Sequence, residues 1–131
     1  MEKDSIPRKP TSLKAFGKSL WVRAWSSPTV TEGDYDAILM LCKLADERER
    51  MMKYLEENGD LLWINNNTNL VLHPYVKRLG EIEKQLIELL NALGFTPNAR
   101  ARMGYEAQDN SNPIAAYAAA VVKVTKSRRQ V

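Results

Sequence analysis

Thiol and imidazole are nearly absent from this chain. Its one cysteine, Cys42, excludes an internal disulfide, and its one histidine, His73, puts a Cys/His zinc site out of reach. No run approaches the roughly 18 apolar residues of a membrane span. The N-terminal MEKDSIPRKP is no signal peptide, so an intracellular protein without membrane contact is expected. There is no P-loop, no glycine-rich dinucleotide loop, no G-x-S-x-G elbow and no metal-ligand spacing. No acid pair stands out from the solvated charges around it. Neither an enzyme nor a bound cofactor or metal is expected. Cys42 sits inside an apolar helical pattern and reads as a small buried hydrophobe.

What is present is an uneven distribution of charge. The 131 residues suffice for one domain with tails, and the net charge is only +3. Residues 1–31 carry six Lys/Arg against two acids, residues 32–64 four against nine, residues 65–96 three against three, and residues 97–131 six against two. Basic ends around an acidic centre point to a polyanionic partner. Three groups are candidates for phosphate contact: Lys3, Arg8, Lys9, Lys14, Lys18 and Arg23 near the N-terminus; Arg100 and Arg102 at a corner; Lys123, Lys126, Arg128 and Arg129 at the C-terminus. Such residues bind a nucleic-acid backbone without reading its sequence.

The pattern predicts a mainly α chain in three parts. Residues 1–30, with three prolines and five serines, read as a flexible basic arm with one short helical turn near SLKAFGKSLW. Trp21 and Trp25, four apart, share a face there and suggest docking on the body or on a neighbouring subunit. Residues 31–106 form a helical core domain, and 107–131 a C-terminal helix with a basic tail. Within the core, Thr31 or Gly33 starts a long helix near 33–57, roughly 37 Å in length. Its apolar stripe is Tyr35, Ile38, Cys42, Ala45, Met52 and Leu55, and Asn58-Gly59 ends it. Its Lys43, Arg48, Arg50 and Lys53 read, with the neighbouring acids, as a salt-bridged solvent face. Two apolar runs around NNNTN read as a small β-hairpin lying on the helices, or as an irregular loop. Pro74 opens a second helix with His73 as a structural or capping residue. Val76, Leu79, Ile82, Leu86, Leu89, Leu90 and Leu93 line its inner face, while Glu81, Glu83, Lys84 and Glu88 face solvent. The result is a long antiparallel helical hairpin followed by short C-terminal helices.

The corner ALGFTPNARARM explains itself as a chain reversal. Gly94 suits a left-handed cap, Phe95 packs back, Thr96 caps a helix near 97–104 and Pro97 takes its first position. A helix-turn-helix regulator with 97–104 as recognition helix is the alternative. That segment offers only Asn98, Arg100 and Arg102 to base edges, fewer than such a helix usually presents.

The long helix opening DYDAILMLCKLADERERMMKYLEENG, the His73-Pro74 start of the next helix and the Leu93-Gly94-Phe95-Thr96-Pro97-x-x-Arg100 corner together resemble the phage terminase small subunit family, in its cos-type branch. There Phe95 replaces a leucine, and the likeness spans roughly 33–105. The resemblance implies a non-enzymatic ring oligomer that recognises double-stranded phage DNA. It further implies that the ring presents this DNA to the terminase large subunit, which holds the ATPase and nuclease, in the cytoplasm of the infected bacterial host. Ring closure would repeat each modest basic group in every subunit and so raise its effective concentration.

Overall fold

The computed structural model describes residues 6–28, 30–64, 68–96, 99 and 114–129, with backbone alone at 63–64 and 126–129. The elements run α1 (Ala15–Trp25), a 3-10 turn (Glu32–Asp34), α2 (Tyr35–Asn58), β1 (Leu61–Ile64), β2 (Asn69–Leu72), α3 (Pro74–Ala92) and α4 (Ala115–Arg129). Contacts between α2 and α3 link Tyr54 to Tyr75, Glu47 to Arg78 and Arg48 to Glu83. Tyr54, late in α2, meets Tyr75 at the start of α3, whereas Glu47 and Arg48, earlier in α2, meet residues farther along α3, so the two helices are antiparallel, as the sequence predicts.

Each end of the two long helices has a local cause. The Asp34 carboxylate accepts from the Thr31 N–H at 3.0 Å and anchors the entry to α2. Gly59, at φ 84°, ends α2 with its N–H on the Leu55 carbonyl. His73 Nδ1 accepts the Tyr75 N–H at 3.0 Å, and Pro74 occupies the first turn of α3. At the far end Phe95 N–H reaches the Leu90 carbonyl and Gly94 N–H the Asn91 carbonyl, with Gly94 at φ 79°. Those two bonds form a Schellman cap, and they turn Phe95 into the core, where it is fully buried. Thr96 Oγ1 then accepts from Ala99 N–H at 3.2 Å, the bond expected of a helix cap.

Residues 6–28 are more structured than the flexible arm the sequence suggests. Gly17, Leu20, Trp21, Ala24 and Trp25 of α1 are buried at helical spacing, and Leu13 just before it is buried too. Trp21, Trp25 and Tyr35 form a ring cluster with centroids 5.3–6.1 Å apart. Trp21 Nε1 donates to the Pro7 carbonyl at 2.8 Å, holding the leader against the helix. The start of α1 is capped from another element: the Asp46 carboxylate on α2 accepts the N–H groups of Lys14 and Gly17 at 2.7 and 2.6 Å. A Cβ on residue 17 would overlap that carboxylate, so only glycine lets Asp46 approach.

Two further expectations are corrected. Glu83 does not face solvent and Arg48 is not part of a solvated face. They are 1% and 5% exposed, and Arg48 Nε donates to Glu83 Oε2 at 3.0 Å. The stripes of α2 and α3 pass through both positions, and pairing is what makes a buried charge tolerable. The β-hairpin forms, but it does not lie on the helices. Leu61, Leu62, Leu70, Val71 and Leu72 remain 38–62% exposed. α4, whose Ile114 leader, Tyr117, Ala118 and Val121 are buried, packs on α3. Burial of Val121 outweighs the weak helix preference of the valine run, and the helix continues through Arg129.

Gly17→Ala should displace Asp46 from the α1 N-terminus and cost about 1–2 kcal/mol, as should Asp46→Ala. In the double variant the losses should not add, which equilibrium denaturation at fixed protein concentration would check. Additive losses would show that the two residues act separately. Arg48→Met alone should cost about 3–5 kcal/mol by stranding Glu83, and adding Glu83→Leu should recover most of it. A double variant as unstable as Arg48→Met would contradict this view of the pair.

Candidate nucleic-acid interface

The N-terminal basic group is carried by ordered backbone. Arg8, Lys9, Lys14 and Lys18 are exposed, and Arg23 is half-buried in the last turn of α1. Lys14, the N-cap of α1, and Lys18 are exposed, four residues apart, and edge the buried stripe of Gly17, Trp21 and Ala24. Because α1 is fixed to α2 through its tryptophans and Asp46, these cations occupy set positions. Lys3 lies outside the described residues.

α2 adds cations that sequence reasoning assigned to a salt-bridged face. An open depression of about 740 Å³ lies where the start of α1 meets α2, and Lys14, Lys43, Arg50 and Lys53 line it. Its carboxylates are engaged elsewhere: Asp46 caps α1, Glu47 holds Arg78 Nε at 3.0 Å, and Glu49 lies 3.7 Å from Arg48 Nη1. Arg50 Nη1 donates to the Tyr75 hydroxyl at 3.2 Å. Lys14, Lys43 and Lys53 enter no ion pair among the described residues. Their spacing on α2 was visible in the sequence. The diversion of neighbouring acids to other partners was not.

At the C-terminus Lys123 is exposed on α4. The backbone of Lys126, Arg128 and Arg129 belongs to the same helix instead of a tail beyond it. Arg100, Arg102 and all of the segment 97–104 except Ala99 lie outside the described residues, so the corner arginines and the recognition-helix alternative receive no structural account.

The buried nucleophiles have no catalytic setting. Burial, with a smaller effect of Asp46, pushes the Cys42 thiol up to about 12. Burial also raises the Tyr117 phenol to about 12, partly offset by the nearby Arg48 cation. The Tyr117 hydroxyl has no hydrogen-bond partner among the described residues. His73 is occupied as the cap of α3 and packs at a tilt against Tyr54 and Tyr75, with centroids 5.0 and 4.6 Å away. Among the described residues no His/Cys/Asp/Glu group could hold a metal ion, and no helix is long and apolar enough to cross a membrane.

Small helical proteins with separate basic surfaces serve many roles, and here comparison narrows them. The chain matches the family model for the phage terminase small subunit over residues 17–110, well over half its length, and belongs to that family. The match begins inside α1, ahead of the 33–105 span that sequence motifs suggested. Members of this family are in general non-catalytic subunits for DNA recognition in phage genome packaging. No curated protein and no solved structure matches the chain.

The two raised acidities set a pH dependence. Unfolded, the thiol and phenol ionise near 9.0 and 10.0, whereas in the folded chain both hold their protons to about 12. Between those values the unfolded form has lost protons that the folded form keeps. Stability should therefore fall as pH rises from about 9 toward 12, with no contribution from either group below 9. Denaturation midpoints across this window would show it, and Cys42→Ala with Tyr117→Phe should flatten the slope. An unaltered slope in that variant would assign the loss to other groups.

Proposed function

We propose that this protein is the DNA-recognition subunit of a phage packaging terminase. It works as a ring oligomer in the cytoplasm of the infected host and hands double-stranded phage DNA to the large subunit. The observation that carries the reading is the family match together with a docked, outward-facing basic helix. A mobile arm would contact phosphates at an entropic cost in every subunit. Lys14 and Lys18, with Arg8 and Lys9 in the leader tied down through Pro7, are held before DNA arrives. Repeated around a closed ring, they form a band of positive charge in register with Lys43 and Lys53. Lys123, Lys126, Arg128 and Arg129 form a second band on α4, and Lys3, Arg23, Arg100 and Arg102 complete the cationic set. The DNA backbone supplies the affinity through counterion release, and the protein supplies no chemistry.

Native mass spectrometry at micromolar concentration should show a multimer well beyond a dimer, whereas a monomer would sink the ring reading. Removing Lys126, Arg128 and Arg129 should flatten the salt dependence of DNA binding by up to about 0.9 per lost phosphate contact per bound subunit. An unchanged slope would take those three residues out of the interface while leaving the α1 band in place.

A further inference from the structure

The β-hairpin is an element with too little to cover it. Cross-strand partners share a face, so Leu61 and Leu72 lie on one side and Leu62 and Val71 on the other. Both sides are apolar, whereas an antiparallel ribbon in water normally keeps one polar face. From Leu61 to Leu72 there is neither a charged residue nor a proline, the usual protection of open strand edges. Leu61, Leu62, Leu70, Val71 and Leu72 together expose on the order of 400 Å², as much as the largest apolar patch of a typical monomer.

A complementary surface exists on the same chain. A groove of about 600 Å³ runs between α2 and α3, lined by Met52, Leu55, Val76 and Leu79, with Glu56 and Asp60 beside it. Gly80 also lines it, in the middle of a helix where glycine costs about 1 kcal/mol relative to alanine. Among the described residues nothing requires that glycine, since a Cβ there would meet none of their atoms within 4 Å. A glycine kept at an empty position of a helix suits the close approach of another backbone.

We propose that the hairpin of one copy seats in the α2–α3 groove, over Gly80, of the next copy. The inference rests on the self-assembly reading above and assigns its contact. The area selects the occupant. Roughly 400 Å² from one hairpin falls short of the about 800 Å² per partner of a stable pairwise interface. Each chain, however, has one hairpin and one groove, so every subunit makes the contact twice. A head-to-tail contact of this kind adds subunits until the ring closes, and closure makes weak contacts hold. The uncharged hairpin brings no repulsion to the carboxylates of Glu56 and Asp60.

The test uses the full chain with two variants, Leu72→Lys on the hairpin and Gly80→Gln in the groove. Both positions are exposed, and Gly80→Gln improves helix propensity, so circular dichroism should show both variants folded, with the helix content of the wild type. Native mass spectrometry should show each variant as a monomer where the wild type is assembled. Mixed at high concentration with a cross-linker, the variants should yield heterodimers that do not grow further. The Gly80→Gln chain still offers a hairpin and the Leu72→Lys chain still offers a groove. If the wild type assembles and both variants assemble equally well, the contact is overturned while the ring reading stands. The same holds if they assemble but lose binding to the large subunit, which would then be the hairpin's partner. A mixture without heterodimers would overturn the head-to-tail pairing. A monomeric wild type would overturn both readings.

Discussion

Arg48 and Glu83 place a guanidinium and a carboxylate among the buried side chains of an otherwise apolar core, and the helices are arranged around that pair. Taking each ion out of water costs several kcal/mol, and their attraction offsets this only when the geometry is met. Sliding either helix by one turn, about 5.4 Å, would leave both charges unpaired in the core. The pair therefore works as a register pin between α2 and α3. The other cross-contacts, Glu47 with Arg78 and Tyr54 with Tyr75, fall into the same register. α4 and α1 close on this level, since Tyr117 lies near Arg48 and its ring packs 5.5 Å from that of Phe16. Two residues before Arg48, Asp46 caps α1. One short stretch of α2 thus sets the position of three other helices.

Much of that frame can be read from the sequence, and what cannot has a physical reason. Helical spacing and end signals locate α2 and α3. Asn58-Gly59, His73-Pro74 and Gly94 each act through groups within a few residues, which local reading detects. Glu83 escapes because a periodicity rule sends charge to the outside, and only the facing helix shows that Arg48 awaits it. Opposite charges on two apolar stripes are the trace left in the sequence. α1 escapes for a related reason. Its start has no local cap, Gly17 weakens its propensity, and the group that repairs both faults lies about 30 residues away on α2. Trp21 and Trp25 were the legible hint of docking.

The candidate interface divides along the same line. Exposed cations near both ends are a compositional fact, so Arg8, Lys9, Lys14, Lys18 and Lys123 were legible without coordinates in space. The fixed positions of Lys14 and Lys18 were not, because they follow from burial of the adjoining Gly17, Leu20, Trp21 and Ala24. Lys43 and Lys53 were hidden by acidic neighbours in the chain. In three dimensions those acids turn to a helix N-terminus, to Arg78 and to Arg48, and the lysines keep their charge for solvent. Local sequence charge is therefore a poor measure of the field along α2.

The excess apolar surface and the modest net charge belong to one problem. A monomer would carry an uncharged hairpin with no cover and a groove with no occupant, features that make a solitary chain prone to association. It would also present only a handful of fixed cations, too few for strong binding at physiological salt. The proposed assembly would answer both at once: hairpins and grooves would cover each other, and every cation of one chain would be multiplied by the subunit number. Docking of α1 matters most in that setting. Polyvalent binding gains from repeated sites only when their spacing matches the partner, and a mobile arm would blur that spacing. The Asp46 cap and the two tryptophans thus link core packing to the regular display of charge. Weak association per subunit would also leave a DNA partner easy to pass on, which suits the hand-over to a large subunit proposed above.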